Sequence, residues 1–523
     1  MSGEDRGPTG GASRAMRLVV LTGLVHIAGF ALVWPFLMDD ALITYRYARN
    51  VAAGFGPIWN GPGAALPAVE GFSSFLHMFT LAGLNAGTGV DLEVLGKLLG
   101  LAGVLVTIGA IALEVRRSRT SVVATWVALS PFLLPPMVMT SASGMETGLF
   151  LPFAWLTPIA AARLLDEHAT RAVVARFVGF GLLGTLIRPE FALSVLGLCL
   201  LVAYRRPPLR RSLATTMFWL FVVPGMAVTG WRLATYADLV PNSFYVKQRL
   251  PGFAGAQYVG RFLLVCCIPY LLLIGPQARR LWAERRDLVL VVAVCLGLPL
   301  FYFLSVRPSM GWWYRFLIPH LPILAWLASA AVSGLPVKDG RRRFAGLQRA
   351  ALPVLVVMGL AQVPPIITSV SGNSLNDDRM AELGRRLRPF ASPTRWLSYY
   401  DVGRLPYASD WNVVDVIGLT THRRDLRGDC GNGTDLILRS LTSQASQPED
   451  IPTPCPSRYE LLVELLWFAD PERSRRMRIF VRSDVSDKAE LAGAILADWP
   501  EPYLQPTGWP GAYTRAVGAV FGP

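Results

Sequence analysis

Residues 38–54 read MDDALITYRYARNVAAG and follow directly on an apolar run that ends near Leu37. Asp39 and Asp40 therefore stand where a membrane helix meets water. Ionisable groups at membrane depth cost free energy and are usually kept for function. A pair of carboxylates there is either a solvated cap on a helix end or part of a site. Two close carboxylates do not both ionise freely without a cation. Arg46, Arg49 or a divalent metal held by Asp39 and Asp40 could supply it. Which reading holds depends on what else the chain brings to the same side of the membrane.

The membrane itself is read from composition. The 523 residues are 52% hydrophobic and 16% charged, with a mean hydropathy of +0.40. Apolar runs of about 18 residues or more recur, the length that crosses a bilayer core. Formal net charge is +14, but the basic residues cluster in short loops between apolar runs. They set topology by the positive-inside rule. No basic helix interleaved with aromatics is present, so nucleic acid is excluded as a partner. Arg6, Arg14 and Arg17 precede the first run, 18–37. That run is long for a signal peptide and lacks a small-residue cleavage site before Asp39. It reads as a retained first helix with its N-terminus in the cytoplasm.

Arginine clusters then fix the direction of each expected helix. The polar segment 39–70 is followed by a short apolar piece, 72–84, too short to span comfortably and read as interfacial. The run 92–115 ends at RRSR (116–119), on the cytoplasmic side. Helices at about 121–139, 147–164, 173–187, 190–204, 212–231, 259–275, 287–305, 317–334 and 350–369 alternate out and in. Their cytoplasmic ends meet RRPPLRR (205–211), RRLWAERR (279–286) and KDGRRRF (338–344). The expectation is about eleven transmembrane helices over residues 1–370, with 38–90 as the first outer loop. Residues 371–523 form an extracytoplasmic α/β domain. Within it, RIFVRSD (478–484) reads as a strand and YELLVELLWF (459–468) as an amphipathic helix.

On this topology the unusual polar residues converge on the outer face. Asp39 and Asp40 end helix one, and Glu70 lies in the first outer loop. SASGMET (141–147) puts Glu146 at an outer helix end. LIRPE (186–190) puts Arg188 and Glu190 at an outer turn. VPNSFYVK (240–247) supplies Asn242, Tyr245 and Lys247, and RPSMGWWYRF (307–316) supplies Trp312, Trp313 and Arg315. Each has a plainer reading: Glu70 as a turn residue, Glu146 as an acid favoured by a helix N-terminus, Arg188 as a snorkelling anchor, the tryptophans as belt anchors. Together they suit one chemistry. Guanidinium and ammonium groups bind phosphate, and a carboxylate can deprotonate a hydroxyl. The interface suits a substrate with its tail in lipid and its head at the water boundary, as a polyprenyl-phosphate sugar has.

The ordered set DDALITYRYARNVAAGFGPIWN, VEGFSSFLH, SGMET, LIRPE, VPNSFYVK, WWYRFLIP and YYDVGRLPY…VVDVIGL resembles the polytopic GT-C glycosyltransferases. Within them it most resembles the mycobacterial terminal arabinofuranosyltransferases, over residues 39 to about 419. The resemblance implies transfer of arabinofuranose from a polyprenyl-phosphate donor to a cell-envelope glycan, at a multipass protein of the inner (plasma) membrane. It implies that Asp39/Asp40 hold the catalytic base. Arg46, Glu70, Glu146, Arg188, Glu190, Asn242, Tyr245, Lys247, Trp312, Trp313 and Arg315 are the expected donor-phosphate or substrate contacts. The loop SMGWWYRF departs from the family in having no acidic residue beside its aromatics. The same fold transferring a hexose such as mannose, and a lipid-linked sugar flippase, are the rival readings. A transporter should carry its polar residues near the midplane of paired broken helices, and none is read here.

Six cysteines are present. Cys199, Cys266, Cys267 and Cys295 lie in apolar runs and act as small hydrophobes. Cys430 and Cys455 lie in the domain assigned to an oxidising compartment and are expected to form a disulfide. No Cys/His metal spacing occurs. His77, His320 and His422 are scattered and read as structural.

Overall fold

The computed structural model describes residues 9–166, 170–247, 254–306, 311–333, 379–422, 425–426, 433–444, 454–469, 473–499 and 503–504. The chain opens with α1 (Thr9–Leu32). Next come α2 (Asp39–Ala52) and α3 (Phe75–Thr88), then α4 (Leu92–Arg117), α5 (Val122–Leu129), α6 (Pro135–Ala142), α7 (Thr147–Leu165), α8 (Arg171–Ile187) and α9 (Phe191–Arg205). Long helical stretches follow at Pro207–Tyr236, Ala254–Glu284 and Arg286–Ser305, and a shorter helix at Leu321–Ser333.

The apolar runs among the described residues are helical where expected, but fewer of them are long enough to cross a membrane than expected. Among the described residues six helices are long and apolar enough to cross a membrane, or seven if one bent pair counts as a span. Length is the physical reason. α8 has 17 residues, α9 has 15 and Leu321–Ser333 has 13. At about 1.5 Å per residue they fall short of the roughly 30 Å hydrocarbon core. The bent pair, Val122–Leu133 with Pro135–Ala142, turns by 50°. Its break is Leu134, whose ψ of 132° is extended, as a residue before proline prefers. The expected eleventh helix, 350–369, lies outside the described residues. The 72–84 piece is α3, a 14-residue helix packed between α2 and α4.

Small residues let the helices approach. A side chain at Gly100 would overlap the Ser141 carbonyl, and one at Gly103 the Gly148 carbonyl. This contact draws α4 against α7, as small residues do between membrane helices. It also seats the turn carrying Glu146 inside the helical body. α4 starts at Asp91, whose carboxylate accepts from the backbone N–H of Glu93 and Val94, a helix cap.

The C-terminal region is β-rich. Its strands are β1 (Trp396–Tyr399), β2 (Asn412–Asp415), β3 (Leu436–Gln444), β4 (Tyr459–Ala469), β5 (Arg473–Arg482) and β6 (Tyr503–Leu504), in the sheet order β2-β1-β3-β5-β4-β6. β1 runs parallel to β2 and β3, β5 runs antiparallel to β3 and β4, and β6 runs parallel to β4. The expected helix at 459–468 is therefore a strand. Glu460 and Glu464 are four apart, a spacing that satisfies both a 3.6-residue and a 2-residue period. Pairing with β5 decides between them. Tyr459, Val463 and Leu465 turn inward, while Glu460 and Glu464 reach Lys488 and Arg478.

One apolar cluster joins α2 to this sheet. Tyr45, Tyr47 and Trp59 share a core with Leu397, Leu405, Trp411, Val413 and Leu436. Each fully buried aliphatic side chain in it contributes about 1.5–3 kcal/mol. The C-terminal region is thus built onto α2 rather than tethered beside it. Cys455 is disulfide-bonded, while Cys199, Cys266, Cys267 and Cys295 are free. Cys430, its expected partner, lies outside the described residues.

Candidate active site

The two aspartates of α2 have separate surroundings. Asp39 Oδ1 accepts the backbone N–H of Arg404 at 2.7 Å. Gly403, just before it, sits so close that any Cβ would overlap the Asp39 carboxylate. The Arg404 guanidinium meanwhile donates to Glu93 at 2.8 Å. Asp39 therefore registers the C-terminal region on α2. Gly403→Ala is expected to break that seat, at about the 1–3 kcal/mol typical of overpacking. Thermal melting of the purified variant checks it; an unchanged melting temperature would show that the joint has slack.

Asp40 faces the other way. Its Oδ2 lies 3.3 Å from Arg315 Nη2, and its side chain is 24% exposed against 4% for Arg315. The carboxylate can thus be reached while its cation is sealed. Arg315 also donates to Met38 Sδ at 3.1 Å. Trp313 and Tyr314, immediately before it, both have φ of 57°. Left-handed backbone at two bulky residues is strained, and such strain clusters at functional sites.

Glu146 is the second centre. It precedes α7, and its Oε1 accepts from Arg188 Nη2 at 2.8 Å, which also donates to Thr147 Oγ1 at 2.8 Å. Glu190 stands 3.7 Å from Arg188 Nη1. Burial alone would favour the protonated acid, but Arg188, then Arg315 and His77, outweigh it and hold Glu146 at about 2. Burial lowers His77 to about 4 and keeps it neutral. One ring connects the two centres: Arg188 lies 5.1 Å and Arg315 4.7 Å from the Phe316 centroid. Asp40, Arg315, Glu146, Arg188 and Glu190 thus form one charged cluster. Arg188 Nε and Nη1, Arg315 Nε and both ring nitrogens of His77 are buried there with no hydrogen-bond partner. Buried donors normally find partners, and a group of unmatched ones calls for an explanation.

Other expected site residues are placed elsewhere. Arg46 is spent on three carbonyls, those of Trp59, Pro406 and Trp411, at 2.9, 2.8 and 2.6 Å. Glu70 pairs with Arg232 at 2.8 Å; burial raises its pKa and Arg232 opposes the shift. Asn242 holds the 418–421 loop by donating to the carbonyls of Gly418, Leu419 and Thr421. Tyr245 is exposed and donates to Asp238 at 2.7 Å. Lys247 ends the helix Asn242–Lys247; its side chain, like that of Trp312, lies outside the described set. Trp313 is buried in the core that α2 shares with the sheet. Sequence reading missed Arg232 and Arg404, whose partners are 162 and 311 residues away. No local pattern marks such pairs.

The two carboxylates point to different partners. Asp39 is committed to a backbone N–H and Asp40 to a guanidinium. No group of three or more His, Cys, Asp or Glu side chains is arranged to hold an ion among the described residues.

No family model matches the chain. Over 229 residues it is 26% identical to the terminal β-(1→2)-arabinofuranosyltransferase of Mycobacterium tuberculosis, a match covering 41% of this chain and 35% of that protein. The similarity thus spans about a third of the relative's length. Among solved structures, ArnT from Cupriavidus metallidurans bound to undecaprenyl phosphate has a TM-score of 0.55 at 13% identity, covering 90% of this chain and 98% of ArnT. Its apo form has a TM-score of 0.51 at 14% identity, with coverages of 87% and 97%. Likeness at that identity is a likeness of fold. The chain shares the polytopic membrane fold of these structures, with a β-rich C-terminal region.

Proposed function

We propose that the protein is a membrane glycosyltransferase that moves a sugar, arabinofuranose by preference, from a polyprenyl-phosphate donor to a cell-envelope glycan. The observation that carries this reading is the set of unmatched buried N–H groups on Arg188 and Arg315 beside the accessible Asp40. A phosphate supplies the acceptors those donors lack, and charge-assisted bonds of this kind are the strong ones. The undecaprenyl phosphate of the ArnT complex supports the donor class. The partial similarity to an arabinofuranosyltransferase supports the sugar.

The chemistry assigns one role to each group. The acceptor hydroxyl oxygen bonds to the anomeric carbon as the bond from that carbon to the phosphate oxygen breaks. Asp40 takes the hydroxyl proton as general base. The electron pair leaves with the polyprenyl phosphate, and Arg188 and Arg315 meet the charge that develops there. Glu146 and Glu190 hold Arg188 in place. Asp39 sets the C-terminal region and takes no proton. Lys247 and Trp312 belong to the same outer face and are assigned to substrate contact. The site faces the extracytoplasmic side of the inner membrane. The arginine clusters at the opposite helix ends support that orientation, as does the Cys455 disulfide, which needs an oxidising compartment; Cys430 is its proposed partner.

The test uses purified protein, a radiolabelled polyprenyl-phosphate arabinofuranose and short arabinan acceptors. Labelled, lengthened acceptor is the expected product. Transfer from a hexose donor and none from arabinofuranose would overturn the sugar assignment. Transport of the intact donor without transfer would overturn the enzyme reading.

A further inference from the structure

A second recess lies away from the charged cluster. It is a cleft of about 200 Å³ between the segment after α2 and the 416–421 loop of the C-terminal region. Trp59, Gly61, Ala64, Ala68, Val69 and Thr420 are among its lining residues, and no lining residue carries a charge. Its walls are fixed. Asn60 exchanges two hydrogen bonds with the Val413 backbone, at 2.8 and 3.3 Å, and Gly61 N–H donates to Asn412 Oδ1 at 2.9 Å. On the other wall the buried Asp415 carboxylate accepts the backbone N–H groups of Ile417, Gly418, Leu419 and Thr420. The loop is therefore wound around one carboxylate.

Within these walls Trp59 is anomalous. It is 2% exposed, and its indole N–H is buried without a hydrogen-bond partner. The ring is otherwise satisfied: Arg46 lies 4.6 Å from its centroid and Tyr47 5.7 Å. An indole N–H normally finds an acceptor when buried. The cleft is also tied to the reaction centre by a rigid ruler. Tyr47 donates to the Val69 carbonyl at 2.6 Å, and it follows Asp40 by seven residues of one helix, about 10 Å along the axis. A ligand that spans that interval must be longer than a single sugar.

We propose that this cleft is a distal subsite for the acceptor, taking a neutral stretch of glycan chain whose oxygen accepts from the Trp59 N–H. The absence of charge from its lining matches a carbohydrate without phosphate or carboxylate, and small lining residues leave room for a ring. The proposal rests on the glycosyltransferase reading and adds where the acceptor is held away from its reacting hydroxyl.

The test measures binding apart from turnover. A linear arabinofuranose hexasaccharide is titrated into the full-length protein in nanodiscs. Two variants are compared with the wild type: Trp59→Phe, which keeps an aromatic ring but loses the N–H with the five-membered half of the indole, and Ala64→Trp, which fills the cleft from a half-exposed position. Trp59→Phe is expected to weaken binding about five- to tenfold, the scale of one neutral hydrogen bond. Ala64→Trp should weaken it more at an unchanged melting temperature, whereas Trp59→Phe leaves a void in the core of α2 and the sheet and is expected to melt lower, so its affinity is measured well below its own melting point. Wild-type affinity in both variants, or no binding by the wild type, overturns the proposal. Wild-type transfer to a short acceptor is assayed in parallel. If transfer succeeds while binding ignores both substitutions, only the cleft assignment fails. If no donor is consumed under any condition, the glycosyltransferase reading fails and takes the cleft with it.

Discussion

Asp40→Asn is expected to slow glycosyl transfer by about 10²–10⁴-fold, the range general base catalysis contributes. The substitution is nearly isosteric, and an amide oxygen can still accept from Arg315, 3.3 Å from Asp40. The loss should therefore appear in the transfer step and leave the melting temperature in place. Asp39→Asn makes the useful contrast. Its amide oxygen can still accept the Arg404 N–H that the carboxylate holds at 2.7 Å, so it should retain most activity. Single-turnover rates with bound donor measure both. If Asp39→Asn were inactive and Asp40→Asn active, the roles of the two carboxylates would be reversed. If both variants kept near-wild-type rates, the reaction centre would lie elsewhere.

The contrast between these neighbours also marks how far the sequence could be read. That two carboxylates follow the first membrane helix was legible, since it needs only hydropathy and position; that α1 stops at Leu32 and the pair opens a separate helix, α2, was not. That Arg404 captures one of them and Arg315 the other was not, since both partners lie hundreds of residues away. The helices themselves were legible because a long apolar run in a membrane has one way to satisfy its backbone. Their number as spans was not. Hydropathy locates an apolar run, but α8 and α9 end at the Arg188–Glu190 turn, where a proline and two charges stop them short. Convergence of Asp40, Glu146, Arg188 and Arg315 followed from orientation by arginine clusters, and the structure brings those four side chains together. Arg46 shows the limit of that argument. A guanidinium looks the same in sequence whether phosphate or three carbonyls will occupy it, and here carbonyls do. β4 shows another: leucine-rich sequence with glutamates four apart has no local reason to prefer strand over helix.

Arg188→Ala is expected to destabilise the protein by about 3–5 kcal/mol, the cost of leaving one member of a buried ion pair alone. Arg188 is 3% exposed and Glu146 8%, so solvent cannot screen the orphaned carboxylate. Only Arg315 and a neutral His77 would remain near Glu146, and burial would then push it toward the protonated acid. A melting shift of that size proves a structural pair but says nothing of phosphate. A second variant separates the two. In Arg188→Met with Glu146→Gln both charges go, and packing of similar volume remains. Replacing a buried pair by neutral groups is often neutral or stabilising, so the double variant should melt near the wild type. Its donor affinity should not recover, because the Nε and Nη1 donors that lack a protein partner are gone with the guanidinium. The wild-type value of donor binding, measured by competition with free polyprenyl phosphate, is therefore expected to fall in both variants, and stability in the first alone. A double variant that melted normally and also bound donor normally would show that Arg188 serves Glu146 and nothing else, and the phosphate would then have to be held by Arg315 without it.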